Sequence, residues 1–102
     1  MIVQVQSKLN EIHALCEKHH VEKLFLFGSA AIGEFREDSD LDFAVMLDAS
    51  LDPLTHGESF LGLLSDLEHL FDRRIDLVSI RALKNPVFIQ ALNDTKVSLY
   101  AA

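Results

Sequence analysis

The sequence is poor in residues that stiffen or crosslink a small chain: 102 residues hold one cysteine, two prolines, four glycines and no tryptophan. A lone Cys16 excludes an intrachain disulfide, so stability has to come from packing, and a reducing cytoplasm is the simplest compartment. Long apolar runs are missing too. None approaches the roughly 20 residues needed to span a bilayer, and no basic segment followed by an apolar stretch opens the chain, so a cytoplasmic protein without membrane association is expected. Positive charge is scarce: nine Lys and Arg stand against 16 Asp and Glu, a formal net charge of −7. That balance excludes broad electrostatic binding to DNA or RNA, which needs clustered cations to displace phosphate counterions.

What is present is ordinary globular material, 49% hydrophobic and 25% charged. The length suits one core, and a single domain over residues 1–102 is expected. Val5, Leu9, Ile12, Cys16 and His19 recur at spacings of four and three, which predicts an amphipathic helix over residues 2–18. Its far end holds His13, Cys16, His19 and His20, but structural zinc draws on two separated ligand pairs and no second pair follows, so Cys16 is expected in the core. Residues 23–27 form a short apolar strand, stopped by Gly28. Ser29 to Ile32 can make one helical turn ended by Gly33, with free backbone N–H groups at its start. Leu41 to Leu47 is the second strand and, after so short a connection, the antiparallel neighbour of the first.

A helix is expected from about Glu58 to Phe71, after a loop marked by Pro53 and Gly57, with Phe60, Leu61, Leu64, Leu67, Leu70 and Phe71 inward. Arg74 to Ser79 is the third strand. A helical crossover between two strands implies that the second and third run parallel. Asn85-Pro86 reads as cap and first residue of a last helix running to about Asn93, and Val97 to Tyr100 as an edge strand or a packed tail.

The chemistry concentrates in three acids. Asp40 and Asp42 lie at the mouth of the second strand and, two residues apart, project from one face, with Leu41 turned into the core. Asp76 interrupts an apolar strand, a costly position unless the acid is paired or bound. Side by side on parallel strands, the three carboxylates would converge at one sheet edge. Hard oxygen ligands of this kind suit Mg²⁺ or Mn²⁺ carrying phosphate. Competing motifs fail on mechanism. Gly28 to Gly33 has P-loop spacing, but Glu34 stands where the lysine is needed. Asp38, Asp40 and Asp42 mimic an EF-hand, yet Phe43 and Ala49 occupy its Gly and Glu positions. Ser29 has neither a nucleophile elbow nor a partner histidine.

Leu26-Phe27-Gly28-Ser29, Gly33 and Ser39-Asp40-Leu41-Asp42-Phe43-Ala44-Val45, followed by Arg74-Ile75-Asp76-Leu77-Val78, resemble the signature of the polymerase-β-like nucleotidyltransferases in their minimal form. The resemblance covers nearly the whole chain. It implies an α/β (α+β) fold, a mixed three-stranded core sheet with helices in the order α-β-α-β-α-β-α. It implies nucleotide contacts from Gly28, Ser29 and Ser39, and metal binding and catalysis by Asp40, Asp42 and Asp76 with Mg²⁺ or Mn²⁺. The implied reaction moves a nucleoside monophosphate from an NTP, AMP from ATP, to a hydroxyl. Minimal members are often antitoxins of HEPN-type toxins, which some silence by adding AMP to a tyrosine. Many members carry arginine where this chain has Ile32, and Arg36 is the candidate replacement. With no separate acceptor domain expected, a second protein or a second copy would supply that surface. The alternative function is a catalytically weak antitoxin that neutralises by occlusion.

Overall fold

The computed structural model describes residues 2–34, 36 and 38–102. Two short N-terminal helices, α1 (Val3–Gln6) and α2 (Leu9–Lys18), stand where one was expected. The break falls at Ser7 and Lys8. The Ser7 hydroxyl donates back to the Gln4 carbonyl at 3.3 Å, and Lys8 leaves helical geometry at φ −115°, ψ 17°. The apolar stripe survives the break, with Val5, Ile12 and Cys16 all fully buried.

Strand β1 (Val21–Phe27) leads through one turn of helix, α3 (Ser29–Ile32), to β2 (Leu41–Leu47), and the two strands pair antiparallel as expected. Glycine makes the turn possible. Gly28 at φ 72° and Gly33 at φ 83° flank α3 in conformations that L side chains resist. Helix α4 (Pro53–Phe71) begins five residues earlier than its predicted start at Glu58. Asp52 caps it, accepting from the Thr55 N–H at 3.2 Å, with Pro53 in the first turn, so Gly57 sits inside a helix whose start was already fixed. Its inward residues are Leu63 and Leu67, with Phe60, Leu70 and Phe71 packed beside them, whereas Leu61 is 64% exposed.

Strand β3 (Ile75–Ser79) follows the α4 crossover and pairs parallel with β2. After a turn of 3₁₀ helix at Ile80–Ala82, Asn85 caps α5 (Pro86–Thr95) by accepting from the Val87 and Phe88 N–H groups. The residues after it form a true strand, β4 (Val97–Ala101), antiparallel to β1. The sheet therefore has four strands rather than three, in the order β3-β2-β1-β4.

Alternation along the strands divides the apolar residues between two faces. Leu24, Leu26, Leu41, Phe43 and Val45 join the main core with Ile12, Cys16, Leu63 and Leu67. Phe27 and Ala44 join a smaller cluster closed by Leu92 of α5, with Phe25, Val78, Ile80 and Leu83 around it. Asp42 shares its face with Ala44, and Asp76 with Val78. The acids thus belong to the face of the smaller cluster, at the ends of β2 and β3 nearest the Gly28 turn.

Candidate active site at the β2–β3 edge

Parallel pairing puts Asp42 in register with Asp76, and antiparallel pairing puts Phe27, the residue before Gly28, opposite Asp42. The two strand contacts bring the candidate acids and the glycine turn together from three distant parts of the sequence. The backbone of Gly28 lies hard against the acid: a Cβ built there would sit 2.5 Å from Asp42 Oδ2. Glycine is required at this position twice over, by its positive φ and by this approach.

Asp42 is half-buried, and its pKa is pushed up from 3.8 to about 6. Burial is the largest cause, followed by the charges of Asp76 and Asp40 and a side-chain hydrogen bond with Asp76. Asp76 itself is exposed because β3 is an edge strand. The burial cost expected of Asp76 therefore falls on Asp42 instead. Asp40 precedes β2 by one residue; its Oδ1 lies 3.8 Å from Arg74 Nε, and the Arg74 side chain is 86% exposed. Arg74 thus sets a cation beside the acids. Its closeness to Asp40 follows from the β2–β3 register, where the Leu41 N–H donates to the Arg74 carbonyl.

Among the described residues no three His, Cys, Asp or Glu side chains already converge tightly enough to hold a metal ion. The acids nevertheless fit a hard divalent cation by donor chemistry. Asp42 stands in register with Asp76, Asp40 adds charge to the same locus, and a cation would relieve the repulsion that helps to raise the Asp42 pKa. Of the other nucleotide-contact candidates, Ser29 opens α3, Ser39 is half-buried and Arg36 is exposed, both in the connection before β2. Ile32 is 53% exposed and offers no donor.

Two of the histidines named at the far end of α2, His13 and His19, are otherwise engaged. His19 Nε2 lies 2.6 Å from Asp66 Oδ2, and His13 Nε2 lies 2.8 Å from the Leu99 carbonyl. Cys16 is buried in the main core, and burial pushes its thiol up to about 12.

A glycine-serine turn leaning on one of three carboxylates at the edge of a mixed sheet is what the resemblance to the nucleotidyltransferases implied. The family model described as polymerase beta nucleotidyltransferase matches residues 10–102, and the chain belongs to that family. Among curated relatives, it is 31% identical over 80 residues to a Methanocaldococcus jannaschii protein provisionally named a protein adenylyltransferase, covering 78% of each chain. Among solved structures, it is similar to a minimal nucleotidyltransferase (32% identity, TM-score 0.68, 91% of this chain and 90% of that one). It is similar also to a chain of a toxin–antitoxin complex with AMP-PNP (26% identity, TM-score 0.71, 92% and 73% covered). A third likeness is to a chain of the tri-AMPylated Shewanella oneidensis HEPN toxin in complex with its MNT antitoxin (26% identity, TM-score 0.60, 95% and 72% covered).

Proposed function

We propose that this chain transfers AMP from ATP to a hydroxyl on a protein partner, and that the partner is a HEPN-type toxin which it holds inactive as an antitoxin. The observation that carries the reading is the register of Asp42 with Asp76 beside the Gly28 backbone. The AMP-PNP complex and the AMPylated toxin among the similar structures support the choice of nucleotide and partner.

Asp40, Asp42 and Asp76 would hold Mg²⁺ or Mn²⁺, which when bound neutralises triphosphate charge and lowers the pKa of an attacking hydroxyl. The Gly28-Ser29 turn presents the Ser29 N–H and hydroxyl to the phosphates. Ser39 and Arg36 approach from the connection before β2, and Arg36 supplies the charge that Ile32 lacks. The acceptor oxygen forms a bond to the α-phosphorus as the bond to the pyrophosphate oxygen breaks, and Asp76, exposed at the sheet edge, takes the hydroxyl proton.

The alternative, neutralisation by occlusion without turnover, draws support from exposed Ile32, whose side chain offers no donor where the family resemblance implies an arginine. Co-expression with the proposed HEPN-type toxin partner separates the two. If the chain acts by transfer, Asp40→Asn with Asp42→Asn abolishes protection from the toxin although both proteins still associate. Protection that survives the double substitution sinks the enzymatic reading in favour of occlusion.

A further inference from the structure

The last turn of α5 reaches back to the glycine turn. The Gly28 N–H donates to Thr95 Oγ at 3.1 Å, across 67 residues of sequence, and the Thr95 hydroxyl donates in turn to the Ala91 carbonyl at 3.0 Å. The hydroxyl proton is thereby committed to the helix, which leaves a lone pair directed at Gly28. Thr95 is also anchored on both sides. Leu92, one turn earlier, is 4% exposed in the cluster with Phe27 and Ala44, and the strand that begins at Val97 pairs with β1.

Gly28 needs such an anchor. Its conformation at φ 72°, ψ −152° lies outside the wells of ordinary residues, and its flexible backbone faces a carboxylate it could repel or release. A hydrogen bond from α5 holds the peptide in one orientation before any ligand arrives. We infer that Thr95 is a positioning residue for nucleotide binding: it fixes the Gly28-Ser29 turn through the Gly28 N–H, so that α5 sets the geometry in which phosphate is received. This inference rests on the reading of Gly28 and Ser29 as phosphate contacts.

The test compares wild type with Thr95→Val, which keeps the branched shape and removes the acceptor, and Thr95→Ser, which keeps it. Two readouts are taken on the intact chain: hydrogen exchange of the Gly28 amide without ligand, and affinity for Mg²⁺-AMP-PNP by calorimetry. Loss of one neutral hydrogen bond predicts faster Gly28 exchange and nucleotide binding weakened on the order of three- to tenfold in Thr95→Val. Thr95→Ser restores both, and amides of the β1–β2 ladder stay as protected as in wild type. Unchanged nucleotide affinity in Thr95→Val, with wild type binding normally, overturns the inference alone. A wild-type chain that binds no Mg²⁺-AMP-PNP overturns the functional reading and the inference together. Exchange that quickens across the β1–β2 ladder as well as at Gly28 shows a general structural role and also overturns it.

Discussion

Asp42 lies in register with Asp76 across the parallel β2–β3 ladder, close enough for the Asp76 charge to push the Asp42 pKa up. A pair of carboxylates can stand this close comfortably only when one holds a proton. At neutral pH, without a counter-ion, the pair is a local source of instability that a divalent cation would remove.

The pH dependence follows from the sign of the shift. The folded Asp42 pKa, about 6, lies above the starting value of 3.8, so the folded chain binds the extra proton more tightly than the unfolded one. Ionising Asp42 therefore costs stability fully above pH about 6 and not at all below about 3.8. Thermal unfolding in EDTA should show Tm rising as pH falls from 7 towards 4.5. Asp42→Asn should be more stable than wild type at pH 7, with a flatter profile, while losing transfer activity. Equal Tm for the two proteins at pH 7 would contradict this account of the pair.

Divalent cation should reverse the effect. If the acids hold the metal as proposed, millimolar Mg²⁺ or Mn²⁺ should bind the folded chain and raise Tm at pH 8 by mass action. The rise should vanish in Asp42→Asn and shrink in Asp76→Asn. A calorimetric scan with and without the metal reads it directly.

Gly28 gives the sharpest steric prediction. Alanine there meets Asp42 Oδ2 at 2.5 Å in a left-handed backbone, so Gly28→Ala should destabilise by about 1–3 kcal/mol. Denaturant unfolding checks the value. Asp42→Asn should not rescue the variant, because the amide has the same bulk as the carboxylate.

The main core offers a control remote from the acids. Leu63 is fully buried between α4 and the sheet, and Leu63→Ala should cost about 2–5 kcal/mol in urea unfolding. The fraction that remains folded should keep wild-type affinity for Mg²⁺-AMP-PNP.

Much of this arrangement was legible in the sequence because it depends on local pattern. Alternation around Leu41 placed Asp42 off the main core, and the length of the α4 crossover required parallel pairing, which brings Asp76 alongside. The early start of α4 was also written there, in Asp52-Pro53, but Gly57 masked it by reading as loop. What could not be read depends on register between distant segments. Nothing local in Thr95 points to Gly28, and nothing in Arg74 points to Asp40 rather than Asp76. The distribution of burial was hidden for the same reason: only the strand order makes β3 an edge, leaving Asp76 exposed and Asp42 the acid that bears the cost.

The reaction proposed for these acids moves AMP, attached through its α-phosphorus, from ATP to a hydroxyl of the partner. The direct measurement incubates the chain with the proposed HEPN-type partner, Mg²⁺ and ATP labelled at either the α- or the γ-phosphate, and follows label on the partner. The account predicts protein-bound label from α-labelled ATP alone, released pyrophosphate in equal amount, and neither product with Asp42→Asn. Label arriving from the γ-phosphate, or α-label transfer undiminished in Asp42→Asn, would contradict it.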